Sequence, residues 1–191
     1  MSTDIWSRIA KLRIRDTDLL APVVKRALDH GIAAATETSI DVNSSPDVVD
    51  TVSLDPMVIE TLRVAELQEI YFTQGSSKQR SVLKSMHCYG VAFDLISVQY
   101  GWFTDARAIK RWPDRAVRTR VALSWYRAVA KHLMDTKELA WGGLWKRFPD
   151  SPHFQSSRVP VVPNDLIITT YQKAGGGQAG REAVWELYQL N

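Results

Sequence analysis

"SMHCYGVAFDL", residues 85–95, sets a histidine, His87, seven positions ahead of an aspartate, Asp94, with a glycine and apolar residues between them. Either this is a buried strand that carries two polar residues, or it holds two ligands of a metal ion that needs a third. Along a straight strand, side chains an odd number of positions apart point to opposite faces. His87 and Asp94 can therefore converge only if the backbone turns between them, and Gly90 is where it could turn. "GVAFDLISV" has the β-branched and aromatic composition of a strand, so Asp94 is expected on one.

Outward from this stretch the periodicity is mostly helical. Leu20, Val23, Val24, Ala27 and Leu28 recur at three- and four-residue intervals after Asp16 and Thr17, with Gly31 beyond, which predicts a capped amphipathic helix that stops there. "TETSIDVNSSPDVVDTVSLDP" reads as a loop with one or two short strands, and its 41–56 segment has no assigned role. "MVIETLR" predicts a strand leading into a helix over "VAELQEIYFTQG" with Gly75 at its C-terminal cap, so Arg63 falls at the junction. A further helix covers "RVALSWYRAVAKHLMD", with Leu123, Tyr126, Val129, Ala130 and Leu133 on one face. "ELAWGGLWKRFPDSPHFQ" is too rich in Gly, Pro and Trp for a helix, and two short helices, "NDLIITTYQKA" and "GREAVWELYQL", follow it around "GGG". Helices flanking a few strands without regular alternation give an α+β class with a small antiparallel sheet.

The chain's 191 residues suffice for one well-filled core, so residues 1–191 are expected to form a single domain. With 45% hydrophobic and 24% charged residues it has the balance of a globular protein, and no apolar run is long enough to cross a bilayer. The N-terminal "MSTDIWSRIAKLRIRDTDLL" lacks the apolar stretch and cleavage site of a secretory signal, so synthesis in the cytoplasm is expected. A net charge of +3, with short clusters "KLRIR" and "RAVRTR", gives only a weak leaning toward polyanions. Cys88 is the one cysteine, which rules out an intrachain disulfide and a cysteine-rich zinc knuckle. Any metal must then be held by nitrogen and oxygen.

Zinc with an open position usually takes three protein ligands from His and Asp or Glu, and His87, Asp94 and one more histidine meet that demand. His30 and His132 lie on expected helices beside ordinary polar neighbours. His153 differs, because "DSPHF" puts Asp150 three residues ahead of it with Pro152 stiffening the approach. A carboxylate held that near a metal ligand can take a proton from water and pass it to a leaving amine.

The two motifs together resemble a known family. "SMHCYGVAFDL" resembles the Ser-x-His-x-x-Gly-x-Ala-x-Asp signature of the zinc peptidases that include the D-alanyl-D-alanine carboxypeptidases and the phage L-alanyl-D-glutamate endopeptidases. "WGGLWKRFPDSPHFQ" is similar to their Trp-Gly-Gly…Asp-x-Pro-His segment, and "ETLRVAELQEIYFTQG" to the segment upstream of the signature in the endopeptidase branch. The resemblance spans about residues 60 to 155.

It implies a hedgehog and D,D-peptidase-like fold, with His87, Asp94 and His153 as ligands of Zn2+. Asp150 becomes the catalytic base and then acid, and Arg63 the partner of the substrate carbonyl or developing oxyanion. Many relatives carry this arginine in a Gly-Tyr-Arg-Ser context, whereas here Arg63 follows "ETL" and Arg80 is a second candidate. Ser85 is expected to hydrogen-bond near the site and Trp141 to line it. The implied function is a phage endolysin that cleaves the L-alanyl-D-glutamate bond of peptidoglycan and lyses the bacterial host. It would wait in the host cytoplasm until released through a holin, act as a monomer without a separate wall-binding module, and neither insert stably in a membrane nor bind nucleic acid. The alternatives are a D-Ala-D-Ala carboxypeptidase or dipeptidase acting on wall precursors, and, from another class, a non-catalytic basic binding domain with its footprint on the two basic clusters.

Overall fold

Thirteen α-helices and strands make up the described part of the chain, which in this computed structural model is residues 3–45 and 48–191. In chain order they are α1 (Thr3–Leu12), α2 (Pro22–Thr36), β1 (Ser39–Ser45), β2 (Val48–Ser53), β3 (Pro56–Glu60), α3 (Ala65–Thr73) and β4 (Ala92–Ser97), then α4 (Ala106–Arg111), α5 (Arg115–Leu133), β5 (Leu139–Trp141), β6 (His153–Ser156), α6 (Asp165–Lys173) and α7 (Gly177–Leu187). β1 and β2 form an antiparallel hairpin, and the other four strands form a sheet in the order β3-β4-β6-β5. The α+β expectation of a small sheet with flanking helices is met. Among the described residues no helix is long and apolar enough to cross a membrane.

The chain divides into two compact units, one of Met1–Lys25, Ile59–Phe93 and Gln155–Asn191, the other of Arg26–Val58 and Asp94–Phe154. In the first, Ile9 of α1 packs with Leu67 and Ile70 of α3, and Ile5, Leu12, Val64 and Tyr71 close around them. Asn164 starts α6 by accepting from the Ile167 amide at 3.0 Å, satisfying one of the orphan donors of a first helical turn. In α7, Trp185 donates its indole N–H to the Tyr89 carbonyl at 2.8 Å. Tyr171 of α6 meets the Tyr89 ring edge-on at 5.2 Å. This hydrogen bond and this ring contact hold Tyr89, in the turn that follows "SMH", from the C-terminal side.

The second unit is built on aromatics. Phe103, Trp125 and Tyr126 meet in tilted and edge-on pairs with ring centres 5.0–6.4 Å apart, and Tyr100 and Trp112 extend the cluster. Asp105 and Asp114 cap α4 and α5 through the amides of Ala108 and Val117. The hairpin is tied in by Asp50, which accepts from the Trp112 indole at 2.8 Å and from Arg111 at 2.9 Å.

Three local expectations change. α2 does not stop at Gly31 but runs on to Thr36. A Cβ at Gly31 would lie 2.8 Å from the Leu133 backbone, so this glycine lets α2 and α5 approach closely instead of ending a helix. β1 and β2, of seven and six residues, form an antiparallel hairpin with a register shift between Asn43 and Ser45 instead of a loop with short strands. Pro46 and Asp47 lie outside the described residues. On α5 Leu123 is exposed and Trp125 takes the buried position, so the buried face is turned slightly from the one its spacing suggests.

Candidate metal centre

His87 sits in a single 3-10 turn, Met86–Tyr89, all four residues of which are buried. The turn ends at Gly90, whose φ of 64° lies in the left-handed region that favours glycine. A Cβ there would fall 2.4 Å from the Leu19 carbonyl oxygen. The Gly90 carbonyl in turn accepts from the Ala21 amide at 2.8 Å. The chain thus reverses its local geometry at the residue where the sequence allowed it, and enters β4 at Ala92.

Asp94 lies on β4 and His153 opens β6, its neighbour in the sheet. The Leu95 amide donates to the Pro152 carbonyl at 3.0 Å, which fixes the two strands beside these residues. His153 Nδ1 and Asp94 Oδ1 are 3.2 Å apart. His87, Asp94 and His153 each offer one ligand atom, and all three atoms lie within 4.8 Å of one another. Two corners of a tetrahedron with bonds of 2.0–2.1 Å are about 3.3 Å apart, so the spacing of His153 and Asp94 suits ligands that share an ion. Two imidazole nitrogens and one carboxylate oxygen are a donor set that zinc accepts while keeping a position for water. Cys88, beside His87, is a poor competitor: burial pushes its thiol up and keeps it protonated, whereas a metal takes the thiolate.

Asp150 is exposed, and its backbone is pinned at both ends. Its amide donates to the Gly142 carbonyl at 3.0 Å and its carbonyl accepts from the His153 amide at 3.2 Å. Gly142 is needed for this closeness, since a Cβ there would lie 2.6 Å from the Asp150 carbonyl oxygen and 3.2 Å from the His153 Cβ. Asp94 and Asp150 also act on one phenol. Burial pushes the Tyr126 hydroxyl far up, and the two carboxylates push it further. Tyr126 therefore stays a donor, to the Leu95 carbonyl at 3.2 Å.

Of the two candidate arginines, Arg63 has a side chain 12% exposed and Arg80 one 75% exposed. Arg80 faces Glu69 near the surface. Arg63 is held on three sides: its Nε pairs with Glu60 Oε1, its Nη1 donates to Gln68 Oε1 at 3.3 Å, and its guanidinium lies 4.9 Å from the centre of the Tyr71 ring. Tyr71 donates to Glu60 Oε2 at 3.0 Å and accepts from Arg13 at 2.9 Å. Burial first, then the Glu60 charge, pushes its hydroxyl up to about 12, so it keeps its proton.

Ser85 is buried at the start of the His87 turn, where its carbonyl accepts from the Cys88 amide at 3.1 Å. Trp141 is 5% exposed, with its ring stacked on Phe154 and its indole N–H given to the Ser151 carbonyl at 2.7 Å. A Cβ at Gly143 would strike that ring at 2.2 Å, so Trp141 and the glycines beside it form a packed turn. Trp145 is the tryptophan that meets a ligand candidate, its ring centre 5.1 Å from that of His153. Sequence reasoning singled out neither Trp145 nor Glu60. The second Trp of "WGGLW" and the lone charge at the end of the apolar "MVIE" were the available signals.

Residues 78–156 match the model of a family described as D-alanyl-D-alanine carboxypeptidase. A curated relative, the peptidoglycan L-alanyl-D-glutamate endopeptidase CwlK of Bacillus subtilis, is 28% identical over 76% of this chain and 75% of its own length. Among solved structures, the Serratia marcescens L-Ala D-Glu endopeptidase ChiX matches with a TM-score of 0.48 and 20% identity, over 78% of this chain and 92% of its own. The family match contains His87, Asp94, Asp150 and His153. The likeness to that family is therefore concentrated in the segment that carries every ligand candidate.

Proposed function

We propose that the chain is a zinc-dependent endopeptidase that cleaves the L-alanyl-D-glutamate bond of peptidoglycan stem peptides. The observation that carries the reading is the convergence of His87, Asp94 and His153 within 4.8 Å, with Asp150 anchored by backbone bonds beside His153. The relative CwlK, an L-alanyl-D-glutamate endopeptidase by name, supports the choice of bond.

His87, Asp94 and His153 would hold the ion, which when bound would supply a Lewis acid and make water acidic enough to attack near neutral pH. Asp150, exposed and fixed by its backbone, takes the proton of the attacking water and hands it to the departing amine. The Arg63 guanidinium, held by Glu60, Gln68 and Tyr71, is the group we assign to the carbonyl oxygen, where it would stabilise charge that appears only in the transition state. Ser85 and Trp141 serve the site as buried supports, one at the His87 turn and one at the end of β5.

Mass spectrometry of meso-diaminopimelate peptidoglycan after incubation with the zinc-loaded chain tests this, with a chelated sample alongside. The expected result is newly exposed D-Glu amino termini that appear only with metal. The family description favours a second reading, a D-Ala-D-Ala carboxypeptidase, and release of free D-Ala would establish it instead. The biological role we assign is that of a phage endolysin, monomeric, held in the host cytoplasm until holin-dependent release. The likeness of "ETLRVAELQEIYFTQG" to the endopeptidase branch supports the endopeptidase part of this role. Expression in a bacterial host should lyse cells only when a holin is co-expressed, and lysis independent of holin would remove that part of the reading.

A further inference from the structure

Glu60 ends β3 as a carboxylate 1% exposed, in a position where a charge is costly unless it is paired and hydrogen-bonded. Its oxygens are divided between partners. Oε2 accepts from the Tyr71 hydroxyl at 3.0 Å, and Oε1 pairs with the Arg63 guanidinium. The same Oε1 lies 3.8 Å from His87 Nδ1, longer than a hydrogen bond but close enough for its charge to act on the ring, and both side chains are almost fully buried. A neutral imidazole carries one proton, and the acceptor that faces one nitrogen decides which nitrogen keeps it. A carboxylate on the Nδ1 side favours the proton there and leaves the Nε2 lone pair for a metal.

We infer that Glu60 is the positioning residue for His87, setting its tautomer and ring orientation so that Nε2 is presented to the ion. This rests on the zinc reading above. Arg63 and Tyr71 complete the device: each holds one Glu60 oxygen, so the carboxylate cannot rotate away from the imidazole. One buried carboxylate thus orients both the guanidinium assigned to the substrate and a histidine assigned to the metal. A Glu60 that served only as counter-ion to Arg63 would have no bearing on His87.

The test is a two-bond 1H–15N correlation of histidine rings in the metal-free full chain at mildly alkaline pH, paired with zinc affinity from competition against a chromophoric chelator. In the unaltered chain His87 should carry its proton on Nδ1, and an Nε2-protonated ring would overturn the inference without any variant. In Glu60→Gln the ring should become a mixture of tautomers, and zinc affinity should fall by about 10- to 100-fold. Leu67→Ala, which opens the neighbouring α1–α3 core without touching the network, should melt earlier yet keep the wild-type tautomer and affinity. Glu60→Gln that keeps both, or Leu67→Ala that loses both to the same degree, would reduce Glu60 to a structural counter-ion. An unaltered chain that binds no zinc would remove the metal reading itself, and this role with it.

Discussion

His87 and Asp150 contrast in how the chain holds them. His87 is 1% exposed, enclosed in a turn of buried residues and faced by a charged network of Glu60, Arg63 and Tyr71. Asp150 is exposed and owes its position to its own backbone and to the glycine beside it. The difference follows from the work assigned to each. A ligand must present one atom without moving, so it is buried and oriented from behind. A proton carrier must meet water and a leaving group, so it stays in solvent while its backbone is fixed.

The sharpest way to break the contrast is at a ligand. His153→Ala should abolish both zinc binding and activity, read by metal analysis and peptidoglycan digestion, and a variant that keeps stoichiometric zinc would show that the ligand set is wrong. Asp150→Asn comes next. The amide cannot take the proton, so turnover should drop by about 10²–10⁴-fold while zinc stays bound. Near-normal rates would remove Asp150 from the mechanism.

Gly142→Ala tests the backbone anchor. The added Cβ, 2.6 Å from the Asp150 carbonyl oxygen, forces the loop to shift, and a displacement of about 1 Å at a catalytic group can cost about 10²-fold in rate. The loss should appear in kcat more than in KM. Unchanged kinetics would mean that Asp150 is placed by something other than this contact.

The smallest effect is expected far from both residues. The Trp112 indole N–H, followed by Ser44 and then Arg111, holds the Asp50 carboxyl below its ordinary value of 3.8. The lowered value means that the folded state favours the charged form, so this stability is present above the unfolded value and lost as pH falls through the folded one. Asp50→Asn should cost about 1–2 kcal/mol at neutral pH, with the difference vanishing in acid and activity unchanged. A thermal melt series across pH reads this, and a constant difference down to low pH would contradict it.

How far the sequence reveals the molecule follows the same division. The ligand candidates and Asp150 were legible because metal and proton chemistry restrict residue types, and because Gly90 marks the one place where His87 and Asp94 could be turned toward each other. The tertiary partners were not. Gly31 reads as a helix stop until Leu133 of another helix is seen against it. The hairpin was muted because β1 buries only Val42 among its seven residues, so the alternation that announces a strand is faint. Trp141 and Trp145 look alike in "WGGLW", and only packing separates the ring that stacks on Phe154 from the one that meets His153. Glu60 is a single charge in an apolar strand, and its meaning depends on residues up to 27 positions away, at His87.

X-ray absorption at the zinc edge of the metal-loaded chain tests the central claim most directly, because it reads the atoms around the ion regardless of substrate. The account predicts two imidazoles and oxygen at about 2.0–2.1 Å, with no sulfur. A sulfur shell at about 2.3 Å, which only Cys88 or a methionine could supply, or fewer than two imidazoles, would contradict it.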